Sequence, residues 1–169
     1  MTESSTTHPG LLAVNVHSNY VSTRNQAKEM RAKAAEMRRS AKTAALKVDA
    51  VKLRLDAKPI SDEAKGLEQE AAEMRTQLLT LTEEATAALN KRMPPEFATW
   101  GIVKTRAYTK VLGVLVSQSK RVHPNLPLAT RAMALLLSHG NWSNELMQRL
   151  VALTTAPREL PNVTHHSPL

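Results

Sequence analysis

The chain contains no cysteine, which excludes disulfides, thiolate metal sites and cysteine nucleophiles. Aromatic residues make up only 3% of its 169 positions, too few for a platform that stacks the bases of a single strand. The five glycines are scattered singly, so no glycine-rich loop is available to cradle a nucleotide phosphate. No apolar run approaches the ~20 residues of a membrane-crossing helix; the longest candidate is VLGVLV at 111–116. A basic-then-apolar leader is also lacking, so the expected location is cytoplasmic, or the virion if the chain is a viral coat subunit.

Catalytic patterns are equally scarce. None of the six histidines has an i, i+4 partner of the kind that holds a metal on a helix. The carboxylate pairs Asp62-Glu63 and Glu83-Glu84 lie in heptad-flanking positions, whereas an acid–base pair needs burial and convergent geometry. The chain is therefore expected not to be an enzyme, and to need no cofactor, metal or small-molecule substrate.

What is present is positive charge, and its placement is informative. The formal net charge is +8. Residues 24–60 hold eleven Lys/Arg against four Asp/Glu, residues 61–93 hold four against seven, and residues 94–169 hold eight against three. A basic segment is thus followed by an acidic one and then by a second basic region.

The second strong signal is periodicity. Ala27, Met30, Ala34, Met37, Ala41, Ala44, Val48, Val51 and Leu55 recur at alternating steps of three and four. Ile60, Ala64, Leu67, Ala71, Met74, Leu78, Leu81, Ala85 and Ala88 do the same. Each is a heptad seam. The phrase AAEMR at 34–38 and again at 71–75 reads as part of this rhythm. Pro59 lacks the N–H a helix interior requires, and Ser61 reads as an N-cap. The pattern therefore predicts two antiparallel helices turning at Asp56–Pro59, with Leu55 close to Ile60.

The rest of the chain predicts a helix from Pro95 to Arg121, a second ending at a capping Gly140, and a third opened by Ser143. The expected fold is all-α: a long antiparallel coiled-coil hairpin over 24–93 and a small three-helix region over 94–156. A flexible or extended N-terminal arm over 1–23 and an extended C-terminal tail over 157–169 complete it. Within the arm, the apolar stretch LLAVNVHSNYV is expected to dock.

Basic helices supply what phosphate binding needs. The candidate nucleic-acid-binding residues are Lys104, Arg106, Lys110, Lys120 and Arg121, with Arg31, Arg38 and Arg39 on the first arm, where Glu68, Glu70 and Glu73 can neutralise them. The expected function is a self-associating structural protein that coats or packages RNA or DNA, nucleoprotein-like or capsid-like. The alternative is a coiled-coil adaptor, assembly factor or chaperone with protein partners only. Membrane insertion is not expected.

Overall fold

In the computed structural model, residues 7–153 and 160–161 are described. Over those residues the protein is all-helical. Five α-helices follow in order: α1 Pro9–Thr43, α2 Lys47–Lys91, α3 Ile102–Ser119, α4 Leu126–Leu137 and α5 Asn144–Ala152. Short 3-10 turns stand at Pro95–Thr99 and His139–Asn141. The chain divides into two compact units, Ser18–Gln77 and Met1–His17 with Leu78–Leu169.

In the first unit, α1 and α2 lie side by side and are joined by residues 44–46. Buried Ala27, Ala34 and Ala41 on α1 match buried Ala57, Ala64 and Ala71 on α2. Between them stand half-buried Met30, Met37, Ile60, Leu67 and Met74. Alanine at every seventh position lets two helices approach closely, but removes little apolar surface from water.

The turn is not where the proline placed it. Pro59 lies inside α2, and the link falls at 44–46, which has no proline or glycine. The physical reason is phase. Ala50, Leu53, Ala57, Ile60 and Ala64 continue the second seam upstream through Pro59 at steps of three and four. A continuous helix therefore keeps Ala57 and Ala64 buried. The lost hydrogen bond falls on the carbonyl of Leu55, a residue 65% exposed, where water can replace it. Val48, Val51 and Leu55 are exposed on α2 instead of extending the first seam.

The expected extended arm is likewise corrected. Pro9 opens α1, in the first-turn position where its missing N–H costs nothing. Its stripe of Ala13, Val16, Tyr20 and Thr23, buried or half-buried, carries the first seam upstream in the same phase. Residues 1–6 lie outside the described residues, as does most of the expected C-terminal tail.

The second unit is a packed core. α3 packs on α4 and α5, burying Tyr108, Val111, Leu115, Met133, Leu135, Leu136 and Leu150. Gly10 is buried at the start of α1, where an added Cβ would stand 2.9 Å from Leu137 Cδ1. Asn125 caps α4 by accepting from the Leu128 N–H at 3.1 Å, and Ser143 caps α5 by accepting from Leu146 at 3.1 Å. Gln118 Oε1 accepts from Asn125 N–H at 2.9 Å and closes the loop between α3 and α4.

Two details differ from the periodicity. The helix expected from Pro95 breaks at Trp100-Gly101, both extended. This places Trp100 in a cluster with Phe97, Tyr108 and His139, ring centroids 5.0–5.3 Å from Trp100. Trp142 joins at 6.2 Å from Tyr108, and its indole N–H donates to the Leu135 carbonyl at 3.0 Å. Gly140 does not cap α4 in a left-handed conformation; it lies within the second 3-10 turn, and no described glycine has positive φ.

Candidate nucleic-acid interface

The expected site residues fall into two groups that behave differently. On α3, Lys104 is half-buried and its ammonium lies 4.4 Å from the centroid of the Trp100 ring. Much of its charge is thus directed at an aromatic face. Lys110 reaches α5, donating to the carbonyls of Val151 at 2.5 Å and of Leu153. A cation there satisfies carbonyls that the end of a helix leaves without partners. Arg106, Lys120 and Arg121 are exposed. From Lys104 to Ser119, the end of α3, the helix rises roughly 22 Å at ~1.5 Å per residue, and Lys120 and Arg121 follow it. The α3 cations are therefore strung out, and two of the five are engaged within the fold.

On α1 the arrangement is tighter. Arg24, Lys28, Arg31, Arg38, Arg39 and Lys42 are all exposed, and their spacing places them on one flank of the helix. That flank borders α2 across a cavity of about 580 Å³, lined by Tyr20, Arg24, Lys28, Arg31, Glu68 and Arg75 with Ala27, Ala71 and Ala72. The cavity exists because alanine fills the floor while long side chains stand at the rim. Four cations face one carboxylate there.

That carboxylate is occupied. Arg31 Nε donates to Glu68 Oε1 at 2.7 Å and Arg31 Nη2 to Oε2 at 2.6 Å, a planar two-pronged pair. These hydrogen bonds hold the Glu68 carboxyl below its ordinary pKa and raise the Arg31 guanidinium above its own. Arg24, Lys28 and Arg75 form no ion pair among the described residues. Neither do Arg38 and Arg39, so the neutralisation expected from the acidic arm reaches Arg31 alone.

Arg75 and Tyr20 escaped the sequence reading. Arg75 lies in the acidic segment, and Tyr20 in the stretch taken for an extended arm. The signal for Arg75 was the repeated AAEMR phrase: its two arginines, Arg38 and Arg75, both carry unpaired charge on this unit.

The described residues contain no group of three or more His, Asp or Glu that could hold a metal ion. No described helix is long and apolar enough to cross a membrane. Comparison with protein families, with curated proteins and with solved structures finds no match for this chain.

Proposed function

We propose that this is a non-enzymatic, self-associating helical protein that coats or packages nucleic acid, holding phosphates along the basic flank of α1. The observation that carries the reading is the row Arg24, Lys28, Arg38, Arg39 and Lys42, exposed and unpaired beside a single occupied carboxylate. From Arg24 to Lys42 the row runs ~27 Å at ~1.5 Å per residue, long enough to follow a backbone carrying one charge per ~1.7 Å of duplex. Such contacts give affinity without base specificity. Pairing of α1 with α2 as a two-stranded coiled coil belongs to the same reading, because it keeps these side chains on a stiff rod. The thin alanine seam favours association with further helices, which would add the burial it lacks.

The test is a fluorescence titration of labelled RNA and duplex DNA at low and physiological salt. The triple variant Arg24→Gln/Lys28→Gln/Arg39→Gln should weaken binding on every sequence. It should flatten the log–log salt slope by about 0.9 per lost duplex contact. Arg106→Gln/Lys120→Gln/Arg121→Gln is the comparator, and a larger loss there would move the interface to α3. Absence of binding by the unaltered protein at low salt would reject nucleic acid as the partner and favour the protein-only adaptor. Light scattering with and without RNA reads the self-association half.

A further inference from the structure

The beginning of α2 carries apolar residues on two opposite faces, and only one has a partner. The inner face of Ala50, Leu53 and Ala57 belongs to the seam. The outer face presents Val48, Val51 and Leu55 at 77%, 53% and 65% exposure, with Leu46 at 63% just before the helix. Their i, i+3, i+7 spacing makes them contiguous on one stripe. Isolated exposed apolar residues are ordinary, but three on one helical stripe, next in sequence to an exposed Leu46, are not.

The register between the helices explains the exposure. Arg31 bonds Glu68, and the two helices run in opposite directions from the 44–46 link. Stepping from that pair toward the link places Thr43, the last residue of α1, level with residue 55 or 56. Residues 47–54 of α2 therefore project about 12 Å past the last turn of α1 at ~1.5 Å per residue, accompanied there by the 44–46 link and by no helix of this unit. That projection explains why Ala50 and Leu53 are only half-buried while Ala57 is fully buried.

The charge around this projection selects its occupant. Residues 38–58 hold seven Lys/Arg and two Asp/Glu, a surplus of five positive charges. Lys47, Arg54 and Lys58 flank one side of the stripe and Lys52 the other, with Asp49 and Asp56 beyond Lys52, all exposed. Two such ends from two copies would repel each other. The oppositely charged stretch of a second copy, Asp62 to Glu73, presents carboxylates, Gly66 and Gln69 outward, with no large apolar side chain to meet the stripe. A convex apolar ridge with lysine stems along both edges matches a flat boundary that is anionic outside and apolar beneath. Lysines can then extend to headgroups while their stems lie on the apolar layer.

We propose that the beginning of α2 docks on anionic lipid surfaces, laying Val48, Val51 and Leu55 into the headgroup–acyl boundary while Lys47, Lys52, Arg54 and Lys58 meet lipid phosphates and carboxylates. The segment adsorbs on the bilayer and does not cross it. This site is separate from the α1 flank and does not depend on the nucleic-acid reading.

The experiment uses the full chain with vesicles of phosphatidylcholine alone or mixed with phosphatidylserine. Cosedimentation is expected with the mixed vesicles only, and to fall as salt rises. Val51→Ser/Leu55→Ser should lower binding at least tenfold. Lys47→Gln/Lys52→Gln/Arg54→Gln should lower it roughly fivefold per cation removed. All five substitutions sit on the exposed face, and unchanged helical circular dichroism would verify the fold. Because the chain has no cysteine, V51C labelled with an environment-sensitive fluorophore reports this position alone. Its emission should rise and shift to the blue on mixed vesicles. Retained vesicle binding by the apolar double variant would overturn the proposal, as would an unresponsive fluorophore. A fluorophore shift that follows protein concentration without vesicles would also overturn it, in favour of a second copy. Arg24→Gln/Lys28→Gln, both outside residues 38–58, should leave vesicle binding intact while weakening nucleic-acid binding, so failure of the nucleic-acid reading is distinguishable from failure here.

Discussion

The unit of residues 18–77, built on α1 and α2, and the unit built around α3, α4 and α5 are both helical, yet they are held together differently. The first unit buries mainly alanines, and its larger side chains stay half in water. The second unit buries leucines, a methionine and Tyr108 completely, with capped helices and an indole hydrogen bond. Dispersion and hydrophobic burial scale with the area removed from water, so stability is concentrated in the second unit. The first unit gives up burial and gains exposed length, on which rows of cations and an apolar end can be displayed. In both proposals a thinly packed element carries the interaction surface.

The largest expected effect lies in the packed unit. Leu135→Ala should cost about 2–5 kcal/mol, because Leu135 is fully buried and its removal leaves a cavity. Thermal melting followed by circular dichroism measures it. A loss under 1 kcal/mol would erase the contrast between the units.

Pro59→Ala works in the opposite direction on the first unit. Pro59 is exposed within α2, so alanine restores an N–H and a hydrogen bond without disturbing any packing. Stability should rise, by at most about 3 kcal/mol. Hydrogen exchange should show stronger protection for residues 50–64. If Pro59 instead shaped a turn, the same change would be neutral or harmful, so this variant decides between the two placements of the turn.

The smallest effect is a pH dependence confined to the second unit. Burial lowers the pKa of His139 from its ordinary 6.5, and Lys104 lowers it further against a weaker opposing pull from Glu96. Burial and Arg131 lower His17 in the same way. The unfolded chain then binds protons that the folded chain refuses. Their contribution is full above about pH 6.5 and is lost as pH falls toward the folded values. The melting temperature should drop on acidification from pH 7.5 to 5.5, and less so in His139→Gln. Equal slopes in the two proteins would remove His139 from the account.

Much of the chain's organisation was legible because it is periodic. The seam through Ala27, Ala34 and Ala41 and that through Ala64, Ala71 and Leu78 can be read from spacing alone, since a helix repeats every 3.6 residues whatever it packs against. Ser143 as an N-cap was also legible, because a serine accepting an amide hydrogen is a local matter. The region between Ala44 and Leu55 was not. Two apolar frames overlap there, one through Val48, Val51 and Leu55 and one through Ala50, Leu53 and Ala57, and periodicity weighs them equally. Pro59 tipped the reading toward a turn, since a proline penalty is visible in sequence while the burial that outweighs it is not.

Charge shows the same division. Composition and spacing determined by themselves that the protein is helical and that its first basic segment places a row of cations on one flank of a helix. Which cations remain available was decided by tertiary structure. Lys110 is drawn to the carbonyls of Val151 and Leu153, Lys104 to the ring of Trp100, and Arg31 to Glu68, whereas Arg24, Lys28 and Arg75 converge unpaired on one cavity. Partners distant in sequence select the availability of a charge, and the register of two helices sets which partners meet. A repeat of seven is satisfied by several registers, and only packing the two seams together chose the one that leaves the end of α2 uncovered.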